Sequence, residues 1–554
     1  MLSVAGRLLR RLRNAAEPDD VLVRSLRRLD AQARVVVLAS PEAPAELIPP
    51  GTSKAAIERR DVDLPADELH RELATLGPLD LVVVHAPPGR WPRLMPRLIF
   101  HVRAGGSLVF RGRPDAPGRA LKRRLRELDR VRVDAPSRLP KDRGARHEVA
   151  LARAVREWRA EGNDVVVTSD AHAYAKLHHH EVDALLDGPR APRGDVLTLV
   201  PGTTFTARCT VVQNDSPVRR TEVREISAPA LTLRAYDDVV CLPRQVVVQD
   251  GIVLPDSYRR WNRRRLHSLL LDDLAPRFAG VQQPVDDATP LSGTYVHLDS
   301  EFPGHYGHLL TEQLSRLWAW PAIRGAASTA KVLISTRTAR EGPLPFERDV
   351  LAAFGIAEHD VHIFDAPVRV ERLLSAMPAF SQPGLVHPVI EDAWRTAGDA
   401  LAARAPDRDR PRRIFCGRRT DKRRCRNAAE VEALFVRHGF EVVYPEQHSV
   451  PEQAAMFRDA EVVAGYAGAA LFNLVWTAEP KDVVMLVPES YTAQNEYLMA
   501  AVQGHRLTLV WCPSDIPQPA QGFSAAAYQS SWVFDHERDG AWLEHQLDQL
   551  AGPS

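Results

Sequence analysis

Along the first 150 residues the hydrophobic positions fall in short β-branched runs. Val35-Val36-Val37-Leu38, Asp80-Leu81-Val82-Val83-Val84 and Ser107-Leu108-Val109-Phe110 are separated by stretches of helical character. Unbroken apolar runs of this length read as parallel strands buried on both faces, so the pattern predicts an α/β layer. From 151 to 285 the pattern is mixed. Segments 196–200, 208–212 and 239–248 read as strands, with Pro201-Gly202 as a turn. Beyond 286 the alternation becomes regular. Strand 331–335 is followed by helix 346–354, ending near Gly355, and strand 362–364. Then come strand 413–416, helix 430–438 with Gly439 placed for a left-handed cap, and strand 441–444. Ser449-Val450-Pro451-Glu452 is a capping box that opens another helix. Strand 461–464, a helix beginning at 471–475 and strand 483–487 complete the series. Strands alternating with helices argue for parallel sheets covered on both faces.

The Pro- and Asp-bearing stretches 275–290 and 405–413 read as connectors. Four regions result: a Rossmann-like α/β domain at 1–150, a mixed accessory region at 151–285, and two α/β halves at 286–404 and 411–535. Two halves joined by a short connector make a cleft, and open parallel sheets hold ligands at the C-terminal ends of their strands. The segment 80–110 is similar to the later half of a methyltransferase-type sheet. No GxGxxG follows the strand at 35–40, so a cofactor-binding methyltransferase lacks its phosphate loop. The domain reads as a degenerate Rossmann-like or docking module.

Composition narrows the classes. The 554 residues are 45% hydrophobic and 26% charged, and 72 basic residues balance 71 acidic ones. That excludes a polyanion binder with a uniformly basic surface, and no nucleic-acid partner is expected. Only seven of the 72 basic residues are lysine, which looks like a coding bias, so single arginines carry little meaning. The five cysteines, Cys209, Cys241, Cys416, Cys425 and Cys512, contain no CxxC pair, which disfavours a structural zinc site or a disulfide framework. A reducing, cytoplasmic setting is expected. No stretch approaches the ~20 apolar residues of a membrane span. In MLSVAGRLLRRLRNAA, Leu2, Leu8, Leu9 and Leu12 line one face of a short basic helix, suited to packing on its own domain or to peripheral contact with the inner face of a membrane. His178-His179-His180 cannot easily chelate one ion from adjacent helical positions, and a solvated helix face is expected there.

Two segments carry candidate chemistry. In the stretch from His305 to Trp318, His308 and Glu312 are i, i+4 neighbours, the arrangement of an imidazole made basic and oriented by a carboxylate. Spacing alone equally fits an ordinary helix surface. Between Arg413 and Pro488 lie Arg418, Arg419, Arg424, Arg426 and Asn427, then Glu446, Glu452 and Gln453. They are followed by the small-residue loop Gly465-Tyr466-Ala467-Gly468-Ala469-Ala470 before Leu471-Phe472-Asn473. A strand, a small-residue loop and a helix start form a phosphate cradle, or simply tight helix–sheet packing. Arginines supply positive charge for a departing diphosphate.

Together these segments resemble glycosyltransferase family 61, whose bacterial members are often labelled capsular polysaccharide biosynthesis proteins. The pattern "YxHxLxExLxRLW" is matched by Tyr306, His308, Leu310, Glu312, Leu314, Arg316, Leu317 and Trp318. A second, longer pattern is matched by Arg418, Arg419, Arg424, Asn427, Glu430, Leu434, Gly439, Phe440, Pro445, Glu446, Ser449, Glu452, Gln453, Phe457, Ala460, Gly468, Ala469, Leu471 and Asn473. The resemblance spans about 200–520. Two positions depart: Ala467 stands for the family's histidine and Ala428 for its glutamate.

The resemblance implies a GT-B-like pair of Rossmann-like lobes and an inverting, metal-independent transferase. Its donor would be a nucleotide-sugar, UDP-linked by expectation, and its acceptor a glycan or lipid-linked glycan. His308, oriented by Glu312, is then the base. The implied donor-binding set is Arg418, Arg424, Asn427, Glu446, Glu452, Gln453, Gly468, Ala469 and Asn473, with Glu446 on the ribose. Glu452 also has the simpler reading of a capping-box partner. The altered Ala467 leaves open a non-catalytic descendant that scaffolds polysaccharide assembly.

Overall fold

A computed structural model describes residues 20–44, 47–48, 51–112, 118–186, 192–218 and 224–550. The N-terminal basic segment lies outside the described residues. The chain divides into two compact units, one comprising Met1–Asp195, Asp238–Cys241 and Val246–Ala288, the other Val196–Asp237, Leu242–Gln245 and Thr289–Ser554. Each is mixed α/β with parallel strands.

In the first unit a six-stranded sheet runs Ile57–Asp61, Val35–Ala39, Leu79–His85, Val102–Phe110, Asp164–Ser169, Val155–Glu161. The first four strands are parallel and the last two join as an antiparallel hairpin. The apolar runs are buried, as their lack of alternation requires. The stretch 275–290 is no bare connector, because Phe278–Val281 pairs antiparallel with Leu271–Ala275 and Thr289–His297 starts a long strand. Nor do the three histidines make a solvated face. His179 is 6% exposed with its ring edge-on to Trp261, and the His178 and His180 rings stack at 5.7 Å. Trp261 supplies the apolar wall that helical spacing alone does not reveal.

His70 and His101 pack against each other and against Phe278, with ring centroids 4.7–5.0 Å apart. Burial, with Arg277 adding to it, pushes His101 down to about 3, and burial likewise lowers His70. Both are therefore neutral in the fold, while the unfolded chain takes up protons below about pH 6.5. The stabilising contribution of His101 is complete above that pH and is lost on acidification toward 3, by about 1.4 kcal/mol per pH unit, and His70 acts in the same direction. Thermal midpoints measured at pH 7.5 and 5.0 are expected to fall less in His101→Phe than in the native chain. Equal falls would show that His101 is not held neutral.

In the second unit one sheet aligns Val368–Ala376, Thr289–His297, Lys331–Ser335 and Val361–Phe364, all parallel. A second sheet runs Thr210–Gln213, Arg506–Cys512, Asp482–Pro488, Val462–Tyr466, Arg413–Cys416, Glu441–Val443, again all parallel. Its edge strand Thr210–Gln213 comes from the stretch first read as an accessory region. The expected strand 239–248 is broken into Leu231–Leu242 and Val246–Gln249. Arg244 and Gln245 between them take φ values of 70° and 77°, unusual for side-chain-bearing residues. The second sheet is sandwiched by two apolar layers, one holding Ile414, Ala467, Leu471 and Trp511, the other Phe415, Tyr466, Trp532 and Leu543. The connector 405–413 is free of regular structure up to Arg413, and Gly439 caps its helix at φ 77°. The Ser449–Glu452 capping box forms as read.

Candidate active site

The first half of the site begins where strands Thr289–His297 and Lys331–Ser335 end. Buried Asp299 accepts hydrogen bonds from the backbone N–H groups of Gln245 (2.7 Å), Ser300 (2.9 Å) and Ser335 (3.1 Å), and from the Ser335 hydroxyl (2.7 Å). Burial raises its carboxyl above the usual range, against the pull of these donors. This corner also accounts for the strained turn at Arg244–Gln245. The Gln245 side chain accepts from Glu301 N–H at 3.1 Å, and the Arg244 backbone donates to Ser335 Oγ at 2.7 Å. From the fixed corner, Ser300 Oγ donates to Glu312 Oε2 at 2.9 Å, and Glu312 Oε1 pairs with His308 Nδ1 at 2.7 Å.

The helix carrying the pair is irregular. One α-turn, Tyr306–His308, passes into a π-helical turn, Leu309–Gln313, and then a 3₁₀ stretch, Leu314–Ala319. π-Turns are rare and cluster at functional sites. The His308 ring stacks on Phe302 (4.6 Å, 19°) and meets His305 edge-on (4.7 Å). With Nδ1 held by a carboxylate, Nε2 is the nitrogen left to accept a proton. Two other motif residues are structural: Arg316 and Trp318 donate to the Ala376 and Met377 carbonyls at 2.7 and 2.8 Å, anchoring this helix to the end of its sheet.

The second half lies at the C-terminal ends of strands Arg413–Cys416 and Val462–Tyr466. Arg418 donates to the Ala467 carbonyl at 2.6 Å. Burial pushes its guanidinium down to about 10, and Arg423 beside it acts in the same direction. Both guanidinium groups lie over Gly468, where a Cβ would come within 2.8 Å of Arg418 Nη2 and 2.9 Å of Arg423 Nη2. Gly468 has φ +139°. A side chain there would displace the arginines and strain the backbone. Arg423 also sits over the rings of Tyr491 and Tyr528, at 5.0 and 5.1 Å. Below the pair, buried Glu496 accepts from Gly468 N–H (2.7 Å) and Tyr491 Oη (3.2 Å). Burial raises its carboxyl above the usual range.

The two halves meet directly. Tyr306 Oη donates to Asn473 Oδ1 at 2.6 Å, and Asn473 Nδ2 donates to Gln453 Oε1 at 2.9 Å. Gly307 packs on Ala469 and Phe472, where a Cβ would stand 3.2 Å from each. Lys422, repelled by Arg423 and Arg418, in turn lowers His305, which burial above all pushes down to about 4. His308, Lys422, Arg423, Arg418 and Gly468 therefore form one neighbourhood.

Several expected residues have other roles. Arg424 points outward, 65% exposed, and among the described residues its side chain meets one ionic partner, Asp421 at 3.8 Å. In the run Lys422-Arg423-Arg424 the guanidinium over Gly468 is that of Arg423, which takes φ 53°, and not that of the expected Arg424. Asn427 is consumed structurally, donating to the Phe534 carbonyl (2.9 Å) and accepting from its N–H (3.0 Å). Glu452 is the capping partner of Ser449 and pairs with Arg408 at 2.8 Å. Gln453 and Asn473 serve the buried junction just described. Glu446 is exposed on the turn Pro445–Gln447. The expected helix after the small-residue loop is a six-residue 3₁₀ turn, Leu471–Trp476, and the Gly468 amide is spent on Glu496, so no amide cradle forms at that residue. Ala467 is fully buried among apolar side chains, and Tyr466 packs into the opposite layer against Phe415 and Trp532, with the Arg418 guanidinium over its ring at 6.0 Å. Among the described residues no cluster of three metal-ligating side chains occurs.

Residues 306–485 match the family model Glycosyltransferase 61, a shorter span than the sequence resemblance covers. This segment is a glycosyltransferase 61 domain. The family implies glycosyltransferase activity, and with it binding of a sugar donor and an acceptor. No curated protein matches the chain. Among solved structures, the chain is similar to "MycE Methyltransferase from the Mycinamycin Biosynthetic Pathway". The complex with Mg and SAH shows 18% identity over 27% of this chain and 47% of that one, and the complex that also holds Mycinamycin VI shows 20% over 27% and 44%. The chain thus spans under half the length of those structures. Both TM-scores are 0.20, too low to carry an argument.

Proposed function

We propose that the second unit is an inverting glycosyltransferase with a GT-B-like pair of lobes, using a nucleotide-linked sugar, UDP-linked in the first instance. The observation that carries this reading is the convergence of an oriented imidazole with a cationic cluster. His308 and Glu312 come from one parallel sheet and Arg418, Lys422 and Arg423 from the other, joined by the Tyr306–Asn473 hydrogen bond. In the reaction His308 Nε2 takes the proton of the acceptor hydroxyl. The hydroxyl oxygen bonds to the anomeric carbon as the bond from that carbon to the diphosphate breaks on the opposite face. Glu312 stabilises the imidazolium, and the two guanidinium groups with Lys422 take up the charge of the departing diphosphate. These cations already supply the stabilisation that a divalent ion gives in other transferases, which supports a metal-independent reaction.

The acceptor we propose is a glycan or lipid-linked glycan of a bacterial cell surface or capsule, glycosylated on the cytoplasmic side. Thermal shift with a panel of nucleotide-sugars, with and without EDTA, tests the donor assignment. At a hundredfold excess over Kd a ligand adds about 2.7 kcal/mol. One nucleotide class is expected to raise the midpoint by a few degrees regardless of EDTA. A panel without any stabilising member sinks the assignment.

A second reading, a non-catalytic scaffold in polysaccharide assembly, is favoured by one observation. Ala467, standing for the family's histidine, is fully buried in the core and presents no polar group. Release of nucleoside diphosphate from any donor by the purified protein eliminates it.

A further inference from the structure

The first unit carries a charge pattern that the site does not use. Helix Arg119–Val133 buries Leu121, Leu125 and Leu128 and exposes Arg119, Arg123, Arg126 and Arg130. Steps of four, three and four residues keep these arginines within about 60° of one line along an α-helix, over about 16 Å. Val133, 83% exposed, continues the same line. The neighbouring helix Trp91–Leu98 buries Trp91, Leu94, Met95 and Leu98 and exposes Arg93 and Arg97, one turn apart. The two helices abut: a Cβ at Gly118, just ahead of the longer one, would stand 2.4 Å from the Trp91 ring.

None of these six arginine side chains has a hydrogen-bonded or ionic partner among the described residues. Several arginines of the same unit are paired. Arg124 meets Glu148, Arg132 meets Asp129, Arg60 meets Glu72 and Arg111 meets Asp20. Others, Arg27, Arg71, Arg138 and Arg143 among them, also have no side-chain partner among the described residues, but they sit on separate elements, whereas these six share two abutting helices.

We propose that the helices Trp91–Leu98 and Arg119–Val133 form a basic face that docks on an anionic lipid surface. Charge complementarity selects an anionic partner, and unpaired arginines keep their full charge for it. The details favour phospholipid over nucleic acid. The aromatic residue of this helix pair, Trp91, is buried, which leaves no platform for a base. The exposed aliphatic Val133 at the end of the stripe suits the headgroup boundary.

The test is sedimentation of the full chain with vesicles of phosphatidylcholine alone or with about 30 mol% phosphatidylglycerol, at about 0.1 and 0.5 M salt. Each basic residue near an anionic leaflet strengthens partitioning about fivefold. The combined variant Arg119→Gln, Arg123→Gln, Arg126→Gln and Arg130→Gln is therefore expected to lose about tenfold or more. A charge-matched variant in the second unit, Arg395→Gln, Arg404→Gln, Arg412→Gln and Arg437→Gln, is expected to bind as the native chain does. An unchanged thermal midpoint checks that the stripe variant is folded. Three results overturn the proposal: indifference to phosphatidylglycerol, equal losses in both variants, or loss that follows Arg7, Arg10, Arg11 and Arg13→Gln instead. Tighter binding of duplex DNA than of vesicles replaces the lipid by a nucleic acid.

Discussion

Arg423→Ala is expected to weaken binding of UDP by about 10–100-fold, while the adjacent Arg424→Ala leaves it unchanged. A charge-assisted hydrogen bond contributes about 1.5–3 kcal/mol, which sets that range. The contrast rests on placement alone, since the two side chains carry the same charge. Arg423 is braced by Tyr491 and Tyr528 and hangs over Gly468 beside Arg418, whereas Arg424 extends into solvent. Isothermal titration with UDP measures it directly. Equal losses in the two variants would mean that only diffuse charge matters, and the assigned pocket would then be wrong. Arg418→Ala is a poorer probe because Arg418 also ties down the Ala467 carbonyl.

For turnover, His308→Ala is expected to reduce the rate by about 10²–10⁴-fold with UDP affinity intact, the usual loss on removing a general base. Glu312→Gln is expected to be less severe, because an amide still fixes the ring without stabilising its positive charge. Nucleoside diphosphate release, followed with whichever donor stabilises the native chain, gives the rates. If His308→Ala retains most of its turnover, the base lies elsewhere. A parallel loss of UDP affinity would point to a collapsed junction, since Gly307 and Tyr306 flank the same packing against Ala469 and Asn473.

The sequence made the layers legible because buried parallel strands write themselves as unbroken apolar runs. Lys331–Ser335 and Arg413–Cys416 have the limits read for them, and the Ser449–Glu452 box has a local hydrogen-bonding logic that needs no tertiary partner. What escaped depends on chain reversals and on distant partners. Which of Arg423 and Arg424 hangs over Gly468 is set by the local course of the chain, where Arg423 is left-handed, and no residue type announces that unless it is glycine. The tie between Asn427 and the Phe534 backbone joins positions 107 residues apart, so a motif asparagine read as a ligand. Glu496, Ser300 and Asp299 carried no signal at all. Each matters through the backbone amide, hydroxyl or carboxylate it meets, and those contacts exist only in the fold. The His308–Glu312 pair was visible as a spacing. Its distinction from an ordinary helix surface came from the Ser300 hydroxyl and the Phe302 ring around it.

The Tyr306–Asn473 contact has a mechanical consequence. Asn473 is completely enclosed, and its carbonyl oxygen also accepts from the Trp476 indole at 3.0 Å. Any swing of one sheet of the second unit against the other must turn about this point like a door on its axle, or else sever it. Through that axle the turn that carries His308 is pinned to the sheet that carries Arg418 and Arg423.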